Sequence, residues 1–269
     1  MRRAALAGGE IAWLEAGASA GAALVLLHGI GSAAWSWRAQ IDAFADDMRV
    51  IAWNAPGYPP STALSSEAAR DAATYAKRLE SLLDHCSVTR CHLVGHSLGC
   101  LIAARFAASS PSRVASLTLA SCALGHARLA AQERERLLES RLADVRDLGA
   151  RGMAEKRGPR LLSPGASANL VSLVVDTMAQ VDAQGYADAA RMLSSGDLLS
   201  DIEALNRDVP MQFIWGEDDV ITPPAANERA ASVRPAARRV VLPQAGHACY
   251  LEQPGAFNAA LRAFVRDHG

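Results

Sequence analysis

Cys91-His92-Leu93-Val94-Gly95-His96-Ser97-Leu98-Gly99-Cys100 decides how this chain is read. An apolar run leads into Gly95-His96-Ser97-Leu98-Gly99, and a helix-like run continues from Cys100 to Ser109. A strand, a sharp turn and a helix with serine at the apex is the context in which G-x-S-x-G carries chemistry. Such a turn strains the backbone of its serine. A side chain at either flanking position would collide with neighbouring backbone, so both flanks are glycine. The pentapeptide alone is weak evidence, because a serine hydroxyl needs a base and a group that orients the base. The rest of the chain has to supply both.

Outward from this turn, short apolar runs alternate with longer segments of helical spacing. Ile11 to Ala16 reads as an edge strand, and Leu24 to Leu27 and Val50 to Trp53 read as buried strands. Leu93-Val94, Leu117 to Ala120, Met211 to Trp215 and Val240 to Leu242 continue the series. Near-continuous apolar strands suit a parallel sheet covered on both faces. Trp37 to Ala45, Glu67 to His85, Leu98 to Ser109 and Pro254 to Val265 read as helices, the last with proline suited to its first turn. The alternation predicts a doubly wound α/β domain. From about Gly125 to Asn206 it stops: this charged stretch predicts several short helices capping the strand C-termini. The expected organisation is a core of residues 1–124 and 207–269 with a helical cap at 125–206.

The partners of the serine follow in the order acid, then histidine. Met211 to Trp215 runs into Gly216-Glu217-Asp218-Asp219, and Val240-Val241-Leu242 runs into Pro243-Gln244-Ala245-Gly246-His247. Both candidates sit at strand C-terminal ends, the face that carries chemistry in such sheets. His247 is the expected general base, later the general acid toward the leaving group. Asp219 is the expected orienting acid, with Asp218 the next choice. Leu24 to Leu27 leads into His28-Gly29-Ile30-Gly31, where a backbone N–H can join that of Leu98 in an oxyanion hole. His28 reads as a loop organiser. Trp35, Trp37, His96 and Tyr250 are expected at the substrate pocket.

These motifs together resemble the α/β-hydrolase fold family, in its large capped branch with a serine nucleophile. The resemblance implies an eight-stranded, mostly parallel sheet with the cap inserted after the sixth strand. The glycine-x-x-aspartate spacing of the family selects Asp219, and the residue after its His-Gly pair makes Ile30 the second oxyanion donor. Trp37-Arg38-Ala39-Gln40 and Gln184-Gly185-Tyr186-Ala187 are similar to stretches of the branch that includes 3-oxoadipate enol-lactonases. One loop departs from the pattern. Where the family shows D-x-x-G-x-G-x-S, this chain has Asn54-Ala55-Pro56-Gly57-Tyr58-Pro59-Pro60-Ser61. Related haloalkane dehalogenases and epoxide hydrolases carry aspartate where Ser97 stands.

The expected activity is hydrolysis of a small carboxylic ester or lactone through an acyl-enzyme on Ser97. A carbon-carbon bond hydrolase of ring-cleavage diketones, a cofactor-free haloperoxidase-like enzyme and a triad-bearing ligand sensor are the alternatives. Composition narrows the field further. The 269 residues carry a net charge of −1 and are 50% hydrophobic, which suits one large domain and no nucleic-acid partner. Five scattered cysteines without a C-x-x-C pair indicate free thiols in a reducing cytosol. No apolar run is long enough for a signal peptide or a membrane span, so a cytoplasmic protein is expected, as monomer or homodimer. No motif calls for a metal or an organic cofactor.

Overall fold

Leu24 and Leu26 belong to one hydrophobic cluster and Val25 and Leu27 to another, so a single short strand feeds cores on both faces of the sheet. Full burial of each such side chain contributes about 1.5–3 kcal/mol. The computed structural model describes residues 1–18 and 21–269. Its sheet comprises β1 (Arg2–Leu6), β2 (Gly9–Ala16), β3 (Ala23–Leu27), β4 (Val50–Asn54), β5 (Cys91–His96), β6 (Val114–Ala120), β7 (Met211–Gly216) and β8 (Arg238–Leu242). The spatial order is β1-β2-β4-β3-β5-β6-β7-β8. β1 and β2 pair antiparallel, β2 runs antiparallel to β4, and the remaining pairs are parallel.

Helices cover both faces. α1 (Arg38–Phe44) and α10 (Pro254–Asp267) bury Ile41, Phe44, Phe257 and Leu261 against Leu24 and Leu26. α2 (Ala72–His85), α3 (Leu98–Ser109) and α8 (Pro224–Ser232) bury Leu79, Leu82, Leu101 and Ala230 with Val25 and Leu27. Two sequence expectations change, and one helix goes beyond them. The edge strand is β1 rather than Ile11 to Ala16, because the mostly exposed Arg2–Leu6 stretch forms a hairpin onto β2. α2 starts at Ala72, where Asp71 accepts the Thr74 amide at 2.8 Å, and not at Glu67. α8 follows the acid-bearing turn and was not singled out in the sequence.

Between β6 and β7 lie α4 (Ala131–Arg157), α5 (Ala168–Met178), α6 (Ala183–Ser195) and α7 (Leu198–Ala204). Among the described residues of 125–206 there is no strand. The first of these helices is longer than the short segments expected, and it is kinked at Gly149, whose φ is +66°. Arg70 to Asp188 at 3.1 Å and Arg105 to Asp201 at 2.6 Å tie this insertion to the core. Among the described residues no helix is long and apolar enough to cross a membrane.

Candidate active site

Ser97 sits between β5 and α3 with φ 52° and ψ −114°, a strained conformation for a residue with a side chain. A Cβ on Gly95 would lie 2.5 Å from the Gly99 carbonyl oxygen, and one on Gly99 would lie 2.4 Å from that of Leu27. The two glycines are therefore what lets the chain turn this sharply against β3. The Ser97 amide donates to Ala120 at 2.9 Å, which fixes the turn to the end of β6. Cys100, one step into the helix, is buried with Sγ 3.1 Å from the Gly95 carbonyl.

The turn after β7 separates its three acidic residues. Glu217 and Asp218 are exposed, whereas Asp219 is buried. Oδ1 of Asp219 accepts the amides of Ile221 and Thr222, both at 2.8 Å. Oδ2 accepts the Thr222 hydroxyl at 2.8 Å and stands 2.9 Å from His247 Nδ1. Burial alone pushes this carboxyl up, but the hydrogen bonds from His247 and Thr222 outweigh burial and hold it below its ordinary value. A carboxylate can only accept, so Nδ1 of His247 carries the hydrogen, and an uncharged ring in this tautomer presents a lone pair at Nε2. Thr222 escaped the sequence reading, although an aspartate followed by threonine three residues on is the local signal of such a turn.

Ser97 and His247 line one cavity of about 800 Å³. Among the described residues no hydrogen bond joins their side chains, and such bonds often tighten only when substrate binds. Ile30 and Leu98 line the same cavity. Leu98 is the first residue of α3, so its amide has no helical carbonyl to reach. Among the described residues no hydrogen bond engages the amide of Ile30. His28 organises the loop: Nδ1 donates to the Gly29 carbonyl at 2.9 Å and Nε2 accepts the Ala55 amide at 3.0 Å. Burial holds its imidazole down to about 4, so the ring stays neutral.

The other pocket candidates divide. Trp35 is 54% exposed at the cavity, and buried Tyr250 and His96 line it. Trp37 does not line it: it is fully buried, stacked on Tyr250 with ring centroids 4.2 Å apart, and it serves as a wall behind the wall. His96 donates through Nε2 to the His247 carbonyl at 2.9 Å, and burial pushes it down to about 3. The insertion supplies much of the remaining lining, including Leu161, Leu170, Leu173, Val174 and Met178. Its Arg141 also lines the cavity and donates to the Tyr186 hydroxyl at 3.1 Å, with no carboxylate partner among the described residues.

The departing loop is built around Asn54. Its Oδ1 accepts the Ala34 amide and its Nδ2 donates to the Pro59 carbonyl, both at 2.8 Å. An aspartate could make only the first of these bonds, so Asn54 and the altered loop fit each other.

A sheet of this order with a strained serine turn, a buried Asp-His pair and an inserted helical segment defines a hydrolase architecture. The chain belongs to the alpha/beta hydrolase fold family, whose pattern it matches over residues 22–254. It is 31% identical to the dihydrolipoyllysine-residue acetyltransferase component of the acetoin cleaving system of Pseudomonas putida, over 99% of this chain and 70% of that protein. It is also 31% identical to a protein assigned as the carbamate hydrolase RutD of Variovorax paradoxus, with 93% of each covered. Among solved structures, a thermophilic esterase from Thermogutta terrifontis superposes with a TM-score of 0.88 at 26% identity over the full length of both chains. The enol-lactonase of Burkholderia xenovorans LB400 shares the fold, with a TM-score of 0.85 at 22% identity over 98% of this chain and all of that one.

Proposed function

We propose that the protein is a serine hydrolase that cleaves a small carboxylic ester or lactone through an acyl-enzyme on Ser97. The observation that carries this reading is the buried Asp219-His247 pair, 2.9 Å apart, whose histidine lines the same cavity as the strained serine. His247 Nε2 takes the Ser97 proton as Oγ adds to the substrate carbonyl. The imidazolium that forms is stabilised by Asp219. The amides of Ile30 and Leu98 receive the developing oxyanion, each worth about 3 kcal/mol of barrier lowering. His247 then gives its proton to the leaving alcohol. Water, activated by the same histidine, adds to the acyl-enzyme and releases the acid. The scheme needs no metal and no organic cofactor.

The mainly apolar lining favours a small hydrophobic acyl group. Arg141 favours a second reading at one point. A half-buried guanidinium that, among the described residues, meets a hydroxyl and no carboxylate is suited to a carboxylate on the substrate, which a ring-cleavage diketone also carries. The resemblance to an esterase at 26% identity supports the first reading over the diketone.

The test is labelling by a fluorophosphonate, followed by a parallel screen of short p-nitrophenyl esters, lactones and a ring-cleavage diketone. Labelling of Ser97 and turnover of esters or lactones are expected. Labelling that persists in Ser97→Ala overturns the nucleophile, and turnover of the diketone alone overturns the substrate class.

A further inference from the structure

Glu252 lies in the short helix α9 (Cys249–Glu252), just beyond His247, and takes no part in the acyl-transfer scheme. Its two carboxylate oxygens nevertheless reach two different parts of the molecule. Oε2 accepts the amide of Gly246, the residue before His247, at 2.6 Å. Oε1 accepts the amide of Ser163, in the inserted segment between α4 and α5, at 2.8 Å. A second bond runs alongside: the amide of Ala248, the residue after His247, donates to the Leu161 carbonyl at 2.8 Å. The two backbones also touch. A Cβ on Gly246 would lie 2.6 Å from the Ser163 nitrogen and the Leu162 carbonyl carbon. The amides on both sides of His247 are thus held by the segment Leu161–Ser163, one directly and one through a carboxylate.

That segment is itself part of the substrate cavity, because Leu161 lines it. Leu162 packs into the same hydrophobic cluster as Ala245 and Ala248. Two amides accepted by one carboxylate are charge-assisted bonds, roughly twice as strong as neutral ones. A displacement of about 1 Å in a catalytic group can cost about a hundredfold in rate.

We propose that Glu252 is a positioning residue that makes the inserted segment Leu161–Ser163 a support of the base, so that His247 is aimed at Ser97 only while the insertion is docked. The cavity wall and the readiness of the base are then coupled. The proposal rests on the reading of Ser97 and His247 as nucleophile and base. Glutamine at this position keeps the size but offers one acceptor and one NH₂ group, so one of the two amides must face a donor. Aspartate keeps the charge with a shorter reach.

The test compares Glu252→Gln, Glu252→Asp and the parent on p-nitrophenyl acetate and on the rate of fluorophosphonate labelling. For Glu252→Gln a fall in kcat of about tenfold to a hundredfold at nearly constant KM is expected, with labelling slowed in parallel. Glu252→Asp should recover part of the loss. A merely structural role would lower the melting temperature and leave kcat per folded molecule and the labelling rate unchanged, and that result overturns the proposal. If the parent is labelled at Ser97 and Glu252→Gln is labelled equally fast, only this inference fails; if the parent is not labelled, the hydrolase reading fails. Should Glu252→Gln not fold, amide hydrogen exchange on the parent decides. Gly246, Ala248 and Ser163 should lose protection together. Base-loop amides that stay protected while Ser163 exchanges would overturn the coupling.

Discussion

Asn227 holds Thr222 to the end of β6. Its Nδ2 donates to the Thr222 carbonyl at 2.7 Å, while its Oδ1 accepts the Cys122 amide at 2.7 Å. Thr222 in turn holds Asp219, and the strand that leads to Cys122 holds the Ser97 turn. One fully buried amide side chain therefore ties the serine turn to the Asp219-Thr222 turn. Asn227→Leu should leave the Cys122 amide and the Thr222 carbonyl unpaired and lower stability by about 2–4 kcal/mol. Urea denaturation measures this, and kcat should fall in the molecules that remain folded.

Thr222 acts on the acid directly, so its hydroxyl can be tested apart from its size. Thr222→Val removes one donor to Asp219, whereas Thr222→Ser keeps it. The serine variant should stay within about twofold of the parent in kcat/KM, and the valine variant should lose about tenfold, the scale of a net hydrogen bond to a charged group. Equal activities of the two variants would remove the hydroxyl from the scheme.

The two neighbouring aspartates make opposite predictions. Asp219 is buried against His247 and Asp218 is exposed. Asp219→Asn presents an amide that favours the wrong imidazole tautomer and should cost kcat about ten-thousandfold. Asp218→Asn should change it less than about twofold, since surface substitutions away from special features are small. Steady-state rates on one ester separate the two.

Stability should fall on acidification. Burial holds the imidazoles of His28 and His96 down to about 4 and about 3, against 6.5 ordinarily. Their folded-state values are depressed, so the unfolded chain takes up these protons first. Their contribution is full above about pH 6.5 and is lost as the pH falls toward 4 and below, at up to about 1.4 kcal/mol per pH unit for each. Asp201 runs the other way. Burial raises its carboxyl from 3.8 to about 6, so its contribution is present below the lower value and lost as the pH rises through the upper one. His92, which burial also holds down to about 4, joins these two, and three histidines against one aspartate leave a net loss in acid. Urea midpoints from about pH 7 to about pH 4 should fall, and should fall more steeply in Asp201→Asn.

The sequence carried the proposed site further than it carried the fold's periphery. Order and spacing singled out Ser97, Asp219 and His247, because each follows a strand whose apolar run is visible, and packing sets Asp219 against His247 and His247 into the cavity of Ser97. The hairpin strand β1 is not legible because Arg2–Leu6 has no β-branched or aromatic residue and no apolar-polar alternation, and takes its structure from pairing with β2. Trp37 is expected at the pocket together with the aromatics Trp35 and Tyr250, which do line it. Only packing against Tyr250 and Phe257 turns it inward.

By itself, then, the sequence determined the strand-helix alternation and the serine turn with its two glycines, because local apolar periodicity and backbone sterics act over a few residues. It also set the order in which Asp219 and His247 follow Ser97 along the chain. Only the tertiary structure decided what holds them in place: Thr222 and Asn227 behind Asp219, and Glu252 with the inserted segment Leu161–Ser163 beside His247. Ser163 and Glu252 are 89 residues apart in the chain, and Cys122 and Asn227 are 105 apart. No local pattern encodes such bonds. They form because buried amides must find acceptors among whatever groups the packed core brings within reach.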